Sequence, residues 1–324
     1  MIGNPPLLLI GRLFGGTIRR LEEAFDLVTI ESFDALEASV PAPRDLRAIA
    51  IGMVGSGHIT ETAVDAAFFS RFPRLEILAC LGAGCEYVDL EAALAQGVTV
   101  TNTPGANTEE TADTAMGLLL GVVRQLPQAD RYVREGKWPG GMFPLTGTLR
   151  DKRLGILGLG RIGKAIARRA ESFGLQVRYH GRNEQPVPYP YFRSPVALAE
   201  ASDILMAVVP GGEDTRHLVD ANVLEALGPE GVFINIARGT VVDEAALVSA
   251  LENGTIRSAA LDAFEHEPYP PEALIAMEHV VLTPHLGSGT HHTRELMAQA
   301  VVDNLIAWRE GRPVISPMDP IENP

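Results

Sequence analysis

Three polar side chains fall just beyond apolar runs that read as strands. They are Arg238 in Asn235-Ile236-Ala237-Arg238-Gly239, Glu267 in Asp262-Ala263-Phe264-Glu265-His266-Glu267-Pro268, and His285 in Thr283-Pro284-His285-Leu286-Gly287-Ser288. Together they suit the reduction of a carbonyl that carries a neighbouring carboxylate. A guanidinium binds the carboxylate and polarises the carbonyl, and a histidinium delivers the proton that a new alkoxide needs. A carboxylate beside an imidazole orients the ring and favours its protonated form. Each residue alone has a plainer reading, a buried Arg–Glu pair or a satisfied core histidine. Their recurrence at successive strand ends, beside glycine or proline, favours the chemical one. No HxxxH or clustered Cys/His spacing accompanies them, and the adjacent His291 and His292 point their rings in different directions on a helix, so no metal site is expected. His266, His291 and His292 are expected at the surface. No GxSxG elbow supports acyl transfer.

The hydride for such a reduction comes from a cofactor, and Leu154-Gly155-Ile156-Leu157-Gly158-Leu159-Gly160-Arg161-Ile162-Gly163 supplies its site. An apolar strand ends in GxGxxG and a helix follows at once. Gly158 permits the tight turn, Gly160 admits a pyrophosphate to the backbone N–H groups, and Gly163 lets helix and strand pack closely. The helix pattern Lys164 to Phe173 then points an N-terminus at the phosphates, and a second strand, Gln176 to Tyr179, completes the unit. An NAD site places an Asp or Glu about 20 residues past the first glycine. Here that place reads Tyr179-His180-Gly181-Arg182-Asn183, with no carboxylate. Arg182 can pair with a 2′-phosphate, which favours NADPH over NADH. The alternative leaves Arg182 as a solvated loop residue and lets Glu184 reach the ribose, as NADH would require.

The elements that must position these groups alternate along almost the whole chain. Candidate strands are Leu7–Ile10, Leu27–Ile30, Ala48–Val54, Glu76–Cys80, Val98–Thr101, Leu154–Leu157, Gln176–Tyr179, Ile204–Val208, Val232–Ile236, Ser258–Leu261 and Val280–Leu282. Strands separated by helical patterns imply parallel sheets covered by helices. The glycine motif begins mid-chain, so the preceding α/β stretch forms a separate domain. Thr108 to Gln125 reads as a long helix bridging the two. From Arg131 to Leu149 the density of Gly and Pro breaks regular structure, leaving an arm that serves as a loop lid or a dimer contact. A helix around Thr293 to Arg309 returns the chain to the first domain, and Gly55-Ser56-Gly57-His58, within the Ile51–His58 stretch, reads as a substrate-facing loop.

With 324 residues, 46% apolar and 21% charged, the chain has room for two cores of ordinary composition. A net charge of −14 argues against nucleic acid or an anionic membrane as partner. Cys80 and Cys85 are too few for a disulfide framework, and no basic segment with an apolar stretch opens the chain, so the cytoplasm is expected. The longest apolar run, Met116 to Val123, is far short of the roughly 18 residues that span a bilayer.

Leu81-Gly82-Ala83-Gly84, Asn102-Thr103-Pro104-Gly105, Thr108-Glu109-Glu110-Thr111-Ala112-Asp113, the glycine turn, Ala237-Arg238-Gly239, Asp262-Ala263-Phe264 with Glu267-Pro268, and Thr283-Pro284-His285 form a combined signature. On it, residues 45–305 resemble the D-2-hydroxyacid dehydrogenases, most closely the NADPH-dependent glyoxylate/hydroxypyruvate reductase branch. The resemblance implies an α/β protein of two Rossmann-like or flavodoxin-like domains with doubly wound parallel sheets. In it, an NAD(P)-binding Rossmann domain (102–289) is inserted into a substrate domain (1–101 and 290–324). It implies Arg238, Glu267 and His285 as the catalytic set, with Arg238 and the backbone of Ala83 and Gly84 on the substrate carboxylate. Cofactor contacts fall on Thr103, Gly158, Gly160, Arg161, Ile162, Gly163, His180, Arg182, Val209, Pro210, Thr215, Ala237, Asp262 (on the nicotinamide carboxamide) and Gly287.

The activity implied is NADPH-preferring reduction of glyoxylate and hydroxypyruvate, with domain closure excluding water. Phosphoglycerate, an aryl-pyruvate or a keto-sugar acid remain open as substrates, as does a dinucleotide-sensing corepressor-like role. The absence of a long disordered extension favours an enzyme. A homodimer is implied, with the arm at its interface. There Trp138, Met142 or Phe143 either walls the partner's pocket or simply packs. Three departures stand out: Glu86 replaces the family's Asp, Cys85 precedes it, and Ala106-Asn107 replaces an apolar pair, giving a more polar wall near the nicotinamide.

Overall fold

Short runs of Leu, Ile, Val and Ala, bounded by Gly, Pro or Asp, become strands paired in parallel. The computed structural model describes residues 4–39, 45–54 and 64–318. Among them the strands are β1 (Pro6–Ile10), β2 (Asp26–Ile30), β3 (Ala48–Ile51), β4 (Ile77–Cys80), β5 (Thr99–Thr101), β6 (Arg153–Leu157), β7 (Gln176–His180), β8 (Tyr191–Phe192), β9 (Ile204–Ala207), β10 (Val232–Asn235), β11 (Ser258–Leu261) and β12 (Val280–Leu282). The chain divides into two compact units, Met1–Asn107 with Gly289–Pro324, and Thr108–Ser288.

The first unit holds a sheet of order β2-β1-β3-β4-β5, a flavodoxin-like order. Its strands alternate between two apolar layers. Leu8 and Ile10 of β1 join Phe68, Phe69 and Phe72 on one side. Leu7 and Leu9 join Ala298, Val301 and Leu305 of the helix His291–Arg309 on the other. In the second unit the order is β12-β11-β10-β9-β6-β7-β8. The order reverses between β6 and β9, where doubly wound sheets open a crevice for ligands at the strands' carboxyl ends. Leu154, Ile156 and Ile234 face the layer of the helix Thr108–Val123, and Leu157, Phe233 and Leu261 face the opposite one. Burial on both faces explains why these strands read as continuous apolar runs.

Several boundaries differ from the sequence reading for identifiable reasons. The strand expected over Ala48–Val54 stops at Ile51, and Met53 exchanges an antiparallel pair of backbone bonds with Arg12 instead. The helix expected to end at Gln125 stops at Val123, because Gln125 turns into the left-handed region (φ 52°) and opens a second helix, Leu126–Arg134. Pro127 lies in the first turn of that helix, where its missing N–H costs nothing, so irregular backbone begins past Arg134 and not at Arg131. The helix after the glycine turn runs Arg161–Ser172, starting directly at the turn and not at Lys164. The two-residue strand β8 was not expected. Gly55-Ser56-Gly57-His58 lies outside the described residues.

At the amino ends of β6 and β9 one carboxylate ties two strands. Asp203 accepts bonds from the Arg153 backbone N–H (2.8 Å), Nε (2.9 Å) and Nη2 (3.1 Å). The Arg153 guanidinium holds the Asp203 carboxyl below its ordinary range, against an opposing effect of burial. A carboxylate depressed in this way stabilises the fold above its unfolded pKa, and that contribution is lost as pH falls through the folded value. Asp203→Asn is therefore expected to lower the Tm at neutral pH, with the gap closing as the pH drops below about 4. An equal Tm difference at both pH values in calorimetry would exclude this ionic contribution.

Candidate active site

The glycine turn after β6 takes the shape its residues dictate. Gly158 has φ 99°, and a Cβ there would sit 2.9 Å from the Val209 backbone nitrogen. A Cβ on Gly163 would sit 2.2 Å from the Gly158 carbonyl oxygen, so only glycine permits this approach of helix to turn. Gly160 caps the helix Arg161–Ser172 without a side-chain bond, and nothing lies within 4 Å of the place a Cβ would take. The first N–H groups of the helix are thus left for an anion. Arg161 is exposed, and Ile162 packs against the core.

The turn is braced from β7 and the loop after it. Gly158 N–H donates to His180 O (2.9 Å), and Gln185 Nε2 donates to Leu159 O (3.0 Å). The His180 ring gives its Nδ1–H to Phe192 O (2.9 Å) and stacks on Tyr191, so β8 anchors the end of β7. Arg182 is exposed and makes no side-chain bond among the described residues. Beyond β9, Val209 contacts the glycine turn, and Thr215 Oγ1 donates to Pro210 O (2.7 Å), closing that loop.

Glu267 and His285 meet at the carboxyl ends of β11 and β12, and Arg238 follows the neighbouring β10. Glu267, whose side chain is 7% exposed, lies 2.9 Å from His285 Nδ1 through Oε2 and 3.1 Å through Oε1. A carboxylate only accepts, so Nδ1 carries the proton of this bond and Nε2 is the ring nitrogen facing away from Glu267. Glu267 Oε1 also accepts from the Phe264 N–H (3.0 Å), which orients the carboxylate. His285 takes φ 51°, a left-handed conformation costly for a residue with a Cβ. Asp262, 2% exposed, holds it there by accepting from Thr283 Oγ1 (2.6 Å), Leu286 N–H (2.6 Å) and Gly287 N–H (2.8 Å). Most of its acceptor capacity is thereby used within the loop.

Arg238 follows β10 half-buried, with Nη1 bonded to Ala237 O (3.0 Å). Asn235 brings the Arg238 turn to the end of β11. Its Nδ2 donates to Arg238 O (3.0 Å), its Oδ1 accepts from Ala237 N–H (3.0 Å), and Ala263 O stands 3.5 Å from Nδ2. A Cβ on Gly239 would lie 1.8 Å from the Phe264 carbonyl carbon, so the two segments touch backbone to backbone. His266, His291 and His292 are exposed. Among the described residues no group of three or more His, Cys, Asp or Glu is placed to hold a metal ion.

In the first unit, Thr103 braces the glycine loop after β4. Thr103 N–H donates to Gly82 O (2.8 Å), and Gly82 N–H donates to Thr103 Oγ1 (3.1 Å). Asn102 Nδ2 donates to Ala83 O (2.8 Å), while the N–H groups of Ala83 and Gly84 make no bond among the described residues.

Residues 116–287 match the NAD-binding domain of the D-isomer specific 2-hydroxyacid dehydrogenases. The chain belongs to this family. The NADPH-dependent glyoxylate/hydroxypyruvate reductase of Sinorhizobium meliloti, solved with NADP and malonate, shares 45% identity with this dehydrogenase. The two superpose with a TM-score of 0.90, covering 98% of this chain and 97% of that one. Glyoxylate/hydroxypyruvate reductase A of Arabidopsis thaliana is 44% identical over 92% of this chain and 94% of its own length. Hydroxyphenylpyruvate reductase of Plectranthus scutellarioides is 45% identical over 86% and 90%. This 2-hydroxyacid dehydrogenase therefore binds NAD(P), and none of its described helices is long and apolar enough to cross a membrane.

Three groups that brace the candidate site lie outside the sequence reading. Asn235 reads in sequence only as a residue of the strand Val232–Ile236, which the structure ends at Asn235. Glu244 is buried at the start of the helix Glu244–Glu252 and accepts from the Glu265 N–H (2.8 Å). His217 Nε2 lies 2.6 Å from Glu265 Oε1, a second imidazole–carboxylate pair on the loop that carries Glu267. The first turn signal Asp243-Glu244 marks a helix start, but nothing in it tells which of the two carboxylates is buried.

Proposed function

We propose that the protein reduces small 2-oxo acids, glyoxylate and hydroxypyruvate first among them, to 2-hydroxy acids with a preference for NADPH. The observation that carries this reading is the His285–Glu267 pair at 2.9 Å, on strand-end loops tied to the Arg238 turn. The relatives named above support the substrate class. The glycine turn fits the dinucleotide, since open space at Gly160 and an uncapped helix start suit a pyrophosphate. In this reading Gly158, Gly160, Arg161, Ile162 and Gly163 hold it, with His180, Arg182, Val209, Pro210, Thr215, Ala237, Asp262, Gly287 and Thr103. NADPH supplies the hydride when bound.

The remaining chemistry falls to the chain's own residues. Arg238 and the N–H groups of Ala83 and Gly84 bind the substrate carboxylate, and the guanidinium polarises the adjacent carbonyl. His285 holds a proton at Nε2 and gives it to the oxygen as alkoxide charge develops. Glu267 keeps the ring oriented and balances the imidazolium charge. Arg182 stands where NAD-specific sites carry an acid and pairs with the 2′-phosphate.

Residues 1–101 with 290–324 act as the substrate domain, and 102–289 as the NAD(P)-binding domain. The arm makes the interface of a homodimer. Trp138, Met142 and Leu145 are 65%, 86% and 95% exposed, large apolar groups that water does not favour. Phe143 instead packs edge-on against Tyr132 of its own chain. Cys80 and Cys85, both buried and not joined in a disulfide, suit a reducing cytoplasm.

The test is turnover with NADPH against a panel of 2-oxo acids. Glyoxylate and hydroxypyruvate are expected to be reduced, and Arg182→Ala to raise the KM for NADPH about 10- to 100-fold with little effect on NADH. Equal losses with both cofactors would place the reading of the 2′-phosphate elsewhere. The 45% identity to a hydroxyphenylpyruvate reductase favours an aryl-pyruvate as the second reading, and a higher kcat/KM for such a substrate would establish it. No turnover of any 2-oxo acid would end both readings. Sedimentation is expected to give a dimer, and a 34.8 kDa particle at micromolar concentration would exclude it.

A further inference from the structure

Glu244 is a buried acid that helix formation does not require. Asp243 already caps the helix Glu244–Glu252, its side chain accepting from Ala246 N–H (2.9 Å). Glu244 is 7% exposed, and burying a carboxylate is costly unless it is bonded. Burial pushes its carboxyl above the ordinary value. The bond from the Glu265 N–H acts the other way, as does His266, while Glu265 and Glu267 add to the rise. The partial positive charge at the helix start offsets part of the cost.

That one bond falls at a sensitive place. Phe264 N–H donates to Glu267 Oε1 and orients the carboxylate that faces His285, and the very next amide, Glu265 N–H, donates to Glu244 Oε1. Two consecutive amides thus set the loop, one from within and one from outside it. The outside contact comes from the segment that carries Arg238, which continues through the turn Gly239–Val241 to Glu244. Gly239 rests on the Phe264–Glu265 backbone between them. On its other side Glu265 is held through its carboxylate by His217.

We propose that Glu244 is a positioning residue for the proton donor: its carboxylate holds the Glu265 amide and so fixes the 262–268 segment that presents Glu267 to His285. The proposal rests on His285 acting as the acid. It requires an acceptor oxygen at the reach of a glutamate, and not a negative charge as such.

Three variants separate those requirements. Glu244→Ala is expected to lower kcat about 10- to 100-fold, with the KM for the oxo acid and the Kd for NADPH within about twofold of wild type. Glu244→Gln, whose side-chain oxygen still accepts the Glu265 N–H, is expected to recover most of kcat. Glu244→Asp keeps the charge but loses a methylene of reach, and is expected to be as slow as the alanine variant, which keeps the test open should Glu244→Ala not fold. Fluorescence titration gives the NADPH Kd independently of turnover. A wild-type kcat in Glu244→Asp, or a Gln variant as slow as Asp, would overturn the proposal. So would a loss that appears in KM or Kd and not in kcat. Full turnover in His285→Ala would instead remove the acid assignment, and the positioning role would fall with it.

Discussion

A single buried carboxylate, Asp262, makes the arrangement at the strand ends possible. Its two oxygens take up Thr283 Oγ1 and the N–H groups of Leu286 and Gly287, bracketing His285 from both sides. Each of those donors would cost about 1–3 kcal/mol if buried without a partner. With them satisfied, the chain tolerates the left-handed backbone at His285 and the ring is turned toward Glu267. A strained residue surrounded by fully bonded neighbours is how a rigid scaffold holds a reacting group.

The same logic extends to the guanidinium. Arg238 and Glu267 are far apart in sequence, yet their segments meet through Asn235, through the bare backbone at Gly239, and through Glu244. Any of these contacts alone would permit some sliding of one strand-end loop past the other. Three contacts of different kinds join them: an amide fork, a steric approach that excludes a Cβ, and a buried carboxylate. Preorganisation of this sort is what gives fixed dipoles and acids their catalytic value, because no reorganisation is needed when charge develops.

Much of this was legible in the residues themselves. Doubly buried parallel strands show as continuous apolar runs, and GxGxxG, Arg238, Glu267 and His285 sit where strands end. The two units and their sheets follow from that alternation. The rest depends on tertiary context. Tyr191–Phe192 is too short to show a period, and Pro190 before it hides a strand that braces His180. The helix Leu126–Arg134 falls between the two readings of that region, and Pro127 sits in its first turn, the one place in a helix where proline costs little. Asn235 reads as one residue of a strand and Glu244 as part of a helix-start signal, and only the fold reveals which backbone groups they hold.

The central claim is that His285 delivers the proton because Glu267 orients and balances its ring. Single-turnover hydride transfer in Glu267→Gln tests it most directly, since glutamine keeps the bond from Phe264 N–H while removing the charge beside the imidazole. Stopped-flow oxidation of bound NADPH by saturating glyoxylate is predicted to slow at least about 100-fold, with NADPH affinity unchanged. A wild-type transfer rate in that variant would contradict the account.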